Sequence, residues 1–211
     1  MALSVDKVFQ FVQFVANKES RGWVSPEEFN VTAELAQIAV YSRLEAMFLA
    51  HKKVHNDMRP FLKDESVSHG GSFHAFPSNF RQLIGALDAS GTEIKEWTQA
   101  EYLSNKNSTI IAPTTSYPFC VVRDDGIYVY PDTITTNIVV EFIAGLDSAN
   151  PPEWAYTTVS GRPVYASGSS TDFEFEDNLF LEISSYILMN MGMNLNQEQV
   201  TQYGMAFNQA A

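Results

Sequence analysis

The chain has 211 residues, of which 45% are hydrophobic and only 18% charged, and its formal net charge is −12. That length supports one domain with a real core or two small lobes, burying roughly 70% of the surface of the extended chain. The acid excess argues against sequence-specific nucleic-acid binding, which needs a basic footprint, and against binding to anionic membranes; it suits a surface past which DNA moves without sticking, or simply a soluble acidic protein.

The charge is unevenly spread. Residues 1–75 carry 8 basic and 9 acidic side chains, residues 76–171 carry 5 and 10, and residues 172–211 carry 6 acids and no Lys or Arg. Low charge beside high apolar content suits a chain partly covered by neighbours, although free monomers share it. Cys120 stands alone, so no intrachain disulfide is possible, and its apolar setting marks it as a small buried hydrophobe. The N-terminus reads as lacking a secretory signal and no apolar run approaches membrane-spanning length, so the expected place of synthesis is a reducing cytoplasm.

A first helix is predicted after Ser4, with Asp6 in its first turn. Val5, Val8, Phe9, Val12, Val15 and Ala16 recur at helical spacing; the run stops near Lys18, and Gly22 supplies the turn. Ser25-Pro26-Glu27-Glu28 then restarts a helix, with Ser25 as N-cap, Pro26 first in the helix and Glu28 closing a capping box. That helix is expected to reach about His55. Phe29, Ala33, Ala36, Val40, Leu44 and Met47 mark one apolar face, and Val31, Leu35 and Ile38 mark a second. Two such faces indicate packing on more than one side.

Pro60 ends this helical region, and Asp64–Ser72, with Gly70-Gly71, reads as a mobile loop or a site filled by a neighbour. Phe76-Pro77-Ser78-Asn79-Phe80 turns the chain into Gln82–Leu87 and Glu93–Trp97, a hairpin around Ala89-Ser90-Gly91. Thr98 caps a short helix with Glu101 as its partner, ending near Ser104. Phe119–Val122 and Ile127–Tyr130 flank Asp124-Asp125-Gly126, a strong hairpin signal in which Gly is expected to supply the positive φ of the turn, and Pro118 and Pro131 punctuate it. Its tip reads as a solvated turn or a contact to a neighbouring subunit. Asn137–Ile143 is rich in β-branched residues and is expected as the third strand of that sheet.

Trp154–Val159 and Arg162–Tyr165, joined by Ser160-Gly161, read as a strand pair or an extended arm, and Ser167–Thr171 as a flexible Gly/Ser linker. If extended, Asp172, Glu174 and Glu176 share a face that could hold a hard cation or line the approach to a helix N-terminus. Leu179–Met191 is apolar nearly all round and should be a buried helix stopped by Gly192; Asn196 and Gln199 open a last one.

No chemistry-bearing constellation emerges, so catalytic, cofactor-binding and metal-binding residues are all read as none. Gly70-Gly71 and Gly168 lack the Lys and helix start of a phosphate loop, and no nucleophile elbow is present. His51, His55, His69 and His74 have no Cys, Asp or Glu at a recognisable ligand spacing and read as solvated or packed histidines.

The order of these segments is familiar. Asn17–Asn30 forms the turn of a helical pair, Phe76-Pro77 opens the strands, and Ala112-Pro113-Thr114 through Tyr117-Pro118 and Val122-Arg123 lead into Ile127–Pro131. Trp154-Ala155-Tyr156 precedes Gly161 and Tyr165, Asp172-Phe-Glu-Phe opens the penultimate helix, and Gly192–Leu195 leads to Val200–Tyr203. Nearly the whole chain thereby resembles the ring-forming adaptor proteins of tailed bacteriophages, particularly those of crAss-like phages. More distantly it is similar to the head–tail adaptor, or tail-tubular gatekeeper, proteins of other short-tailed phages. For Gln82–Leu87, where composition also admits helix, the resemblance favours strand.

The resemblance implies a non-enzymatic virion subunit at the head–tail junction. Copies would form a ring, usually a dodecamer, contacting the portal protein and the next tail or ring protein, with DNA passing through the channel. The expected fold is α+β: a helical bundle from residues 1–72 and 172–211, with an inserted antiparallel β region at 73–171. A tail ring or tail-tube completion protein further from the capsid is the first alternative; a soluble enzyme or ligand-binding domain without a readable motif is the second.

Overall fold

A computed structural model describes residues 2–20, 23–51 and 56–194. It has the expected α+β class. The chain divides into two compact units: the first is Met1–Pro60 with Leu146–Ala211, and the second is Phe61–Gly145. The sequence reading instead put the insert at 73–171. Two strand assignments account for the shift, as described below.

In the first unit, β1 (Ala2–Leu3) leads into α1 (Val5–Ser20). The helix begins where expected, but part of its cap comes from far along the chain: the Val5 N–H donates to Asp172 Oδ1 at 2.9 Å. α2 (Pro26–His51) opens on the predicted capping box, with the Glu28 N–H donating to Ser25 Oγ (3.2 Å) and the Ser25 N–H to Glu28 Oε2 (3.3 Å). Phe29, Ala33, Ala36, Val40 and Leu44 are buried along it, each large one worth about 1.5–3 kcal/mol. Met47, expected with them, is 36% exposed. The predicted turn at Gly22, the end of the helix at His55 and the last helix at Asn196–Gln199 lie outside the described residues.

α4 (Phe180–Asn194) follows a short 3-10 turn at Asp177–Leu179 and packs against both α2 and α1. It does not stop at Gly192. One glycine costs a helix about 1 kcal/mol, and the buried Ile187, Leu188, Met191 and Gly192 hold the last turns in place. Arg43 reaches from α2 to Glu182 of α4 with a two-pronged fork, Nε to Oε1 and Nη2 to Oε2, both at 2.7 Å.

β8 (Tyr156–Val159) and β9 (Arg162–Tyr165) form the predicted hairpin, as a separate two-stranded sheet that belongs to the helical unit. Ser160 and Gly161 turn it with φ of 51° and 78°, the positive pair that suits the twist of a two-residue loop. Ser167–Thr171 is not a free linker. Ser169 and Ser170 N–H groups donate to Ala166 O, and Thr171 exchanges both backbone bonds with Glu153 at 2.9 Å. β10 (Phe173–Glu176) pairs antiparallel with β1, burying Phe173 and Phe175.

The second unit is a six-stranded sheet in the order β2-β7-β3-β4-β5-β6. These are Leu62–Val67, Ile138–Ala144, Phe80–Leu87, Glu93–Glu96, Phe119–Val122 and Ile127–Tyr130 respectively. β2 replaces the first half of the loop expected at Asp64–Ser72, pairing with β7 over its full length, and this moves the boundary forward from 73. β7 therefore lies between β2 and β3, in the same sheet as the β5–β6 hairpin but not beside it. The sheet is not wholly antiparallel either. β4 and β5 run parallel, joined by a crossover that contains α3 (Gln99–Asn105) with its predicted Thr98–Glu101 capping box. Leu83, Ile94, Cys120, Ile127, Val140 and Phe142 anchor the buried core of this unit.

The β3–β4 turn is held by Asp88, whose Oδ1 accepts from the N–H groups of Ser90 and Thr92, with Gly91 at φ 83°. Gly126, in contrast, does not have the positive φ expected of it. It is glycine for want of room: an added Cβ would lie 2.4 Å from Phe73 Cδ2 and 2.7 Å from the His74 carbonyl oxygen.

Candidate functional site

The second unit carries a polar cleft of about 330 Å³, lined among others by His69, His74, Tyr102, Arg123, Tyr130 and Asp132. His74 is placed by two backbone bonds with Ile127, both 2.9 Å, and lies fully buried. Its Nε2 is 3.0 Å from Thr136 O. A carbonyl only accepts, so Nε2 donates this bond, while Nδ1 is buried with no hydrogen-bond partner among the described residues. The His69 ring stands edge-on at 5.1 Å, and His69 Nδ1 accepts from the Gly71 N–H.

Arg123 crosses the Tyr128 ring at 4.1 Å and donates to Tyr130 Oη at 3.2 Å. Tyr102 stacks on Tyr130 at 4.2 Å; burial, then a hydrogen bond with Tyr130, raises its phenol pKa. Tyr128 donates to Asp125 at 2.6 Å, and that bond holds its own pKa up. The cleft offers one guanidinium, several hydroxyls, two imidazoles and the Asp132 carboxylate, a set that can hold a small polar group. Sequence reasoning missed it because its residues come from four separate segments, each polar side chain unremarkable in its own.

The sequence-nominated groups are dispersed. His69 and His74 meet at the cleft, His51 is exposed on α2, and His55 lies outside the described residues. No group of three His, Cys, Asp or Glu that could hold a metal occurs among the described residues. The acids of 172–176 do not form a cation face: Asp172 caps α1, while Glu174 Oε1 accepts from the Asp147 N–H (2.9 Å) and Gln37 Nε2 (3.3 Å). Cys120 is fully buried, and burial pushes its thiol up to about 12, as suits a packed hydrophobe rather than a nucleophile.

The outer surface of the first unit is more distinctive. The second apolar face of α2 is there as read, but among the described residues it is bare: Val31, Leu35 and Ile38 are 61%, 51% and 45% exposed, and Leu49 continues the row. The 31, 35, 38, 42, 45, 49 spacing makes it one stripe along the helix. Among the described residues, the charged side chains beside it on α2 are acids, including Glu27, Glu34 and Glu45. The β8–β9 hairpin shows a second bare face. In its register, Thr157 faces Val164 and Val159 faces Arg162 on one side, and all four are exposed. The other side carries Tyr156 and Tyr165, both stacked toward Trp154, with the Tyr156 hydroxyl donating to Glu27. That bond lowers the Glu27 pKa and raises that of Tyr156.

Comparison with known proteins found no matching family model and no matching curated sequence.

Proposed function

We propose that this chain is a structural, non-enzymatic subunit of a bacteriophage head-to-tail connector, an adaptor ring that links portal to tail around the DNA channel. Two things support the reading: the ordered resemblance across the chain, and the bare apolar stripe of α2. The stripe carries most weight. A second apolar face on a helix is expected to be covered, yet among the described residues nothing covers Val31, Leu35 and Ile38. A subunit that functions only inside an assembly has that surface; an enzyme working alone gains nothing from it.

In this reading α1, α2 and α4 belong to a helical bundle that meets its neighbours, and the six-stranded unit extends the tube toward the next protein. Copies form a ring, twelve to match a portal. The net charge of −12 lets DNA pass without adhering. Electron microscopy of the purified protein, alone and mixed with the portal protein of the same phage, tests this. Annular particles, or density ordered on the portal, are expected. A protein that stays monomeric and binds neither the portal nor any other virion protein refutes it.

A further inference from the structure

Among the described residues, two bare apolar surfaces lie on the first unit, and they differ in charge. The α2 stripe is edged by carboxylates, with no Lys or Arg among Val31, Glu34, Leu35, Ile38, Ser42 and Leu49. The outward face of the β8–β9 hairpin is Thr157, Val159 and Val164 with Arg162 at the tip end. Val159 and Val164 are 55% and 46% exposed. An isolated two-stranded hairpin is marginal in water unless something packs on it. The inner face has Trp154 and Glu27; among the described residues, the outer face has nothing.

We propose that the outward face of this hairpin docks on the α2 stripe of a second copy, Val159 and Val164 against Val31, Leu35 and Ile38, with Arg162 meeting Glu34. The match is in charge: the hairpin face sets the Arg162 cation beside Val159, and the stripe sets the Glu34 carboxylate beside Leu35 and Ile38. Because the two surfaces are different patches of one chain, the contact is heterologous, and each copy keeps one of each for its next neighbour. Such a contact propagates until it closes. The proposal deepens the adaptor reading, since it names the surfaces that would join ring subunits.

The test is sedimentation of the full chain over a concentration series. Wild type, Arg162→Glu, Glu34→Arg and the double variant are compared after circular dichroism has shown that all four fold alike. Both residues are exposed, so folding should be unaffected. Wild type is expected to self-associate. Each single reversal should weaken association about fivefold to tenfold, and the double variant, which restores opposite charges, should recover most of it. Association that ignores both reversals overturns this contact and leaves the adaptor reading standing. A wild-type protein that is monomeric throughout yet binds the portal does the same. A monomer that also ignores the portal overturns both.

Discussion

Replacing Gly126 by alanine tests whether lack of room, rather than turn conformation, selects glycine there. The new Cβ would sit 2.4 Å from a Phe73 ring carbon and 2.7 Å from the carbonyl oxygen of His74. The Phe73 ring is half-buried and can swing aside. The carbonyl cannot, because it accepts from the Ile127 N–H at 2.9 Å while Ile127 O accepts in return from the His74 N–H. Relief therefore means prising the 73–74 segment off β6. Loss of the two backbone bonds at about 1 kcal/mol each, or their retention under overpacking of about 1–3 kcal/mol, puts the cost at about 1–3 kcal/mol. For a chain of this size that lowers the melting temperature by roughly 2–12 °C. Urea and thermal denaturation followed by circular dichroism would measure it. Gly91→Ala is the control: its φ is +83° and open space surrounds it, so only backbone strain of about 1 kcal/mol applies. A Gly126→Ala protein within about 0.5 kcal/mol of wild type, or less perturbed than Gly91→Ala, refutes the steric account.

Other expectations rest on the helix caps, the α2–α4 tie and the buried thiol. Arg43→Ala strips the fork from a Glu182 carboxylate whose side chain is only 11% exposed, and should lower the urea midpoint by the equivalent of about 1–3 kcal/mol; Arg43→Lys should recover only part. Ser25→Ala should cost about 1 kcal/mol and speed amide exchange in the first turn of α2; unchanged exchange would show the capping box to be idle. Cys120 should resist thiol reagents until the protein unfolds. Above about pH 9 the unfolded chain loses the thiol proton while the folded one keeps it up to about 12, so the folded state binds more protons and stability falls as pH rises through that window. Below pH 9 the group contributes no slope. Subtracting the stability curve of Cys120→Ala from that of wild type should leave a decline approaching about 1.4 kcal/mol per pH unit there, and a flat difference would contradict the burial argument.

Local signals were read well from sequence because each is enforced within a few residues. The capping boxes at Ser25 and Thr98, the Asp88–Thr92 turn and the Ser160-Gly161 turn are cases in which side chain and backbone satisfy one another nearby. The apolar rows of α2 were equally legible, since periodicity records the faces of a helix whether or not the single chain covers them. What escaped was set by distant partners. β2 buries only Val67 of its six residues, so it carries no alternating pattern, and its strand character comes from pairing with β7, seventy-odd positions on. Gly192 carries a stop signal that packing overrides. Asp172 was read at the approach to the C-terminal helix but caps the N-terminal one, a pairing across 167 positions. The cleft illustrates the same point, because His74, Tyr102, Arg123 and Asp132 acquire a joint meaning only once the sheet has gathered them.

The pairing of β2 with β7 has a consequence for modularity. Leu62 faces Ile143 across the ladder, so the chain enters and leaves the six-stranded unit through adjacent strands a few ångströms apart. A unit tethered this way can be excised, with a short Gly/Ser bridge rejoining Pro60 to Leu146, or grafted between two neighbouring points of another scaffold. Such an insert can be exchanged wholesale while the helical unit keeps its own packing.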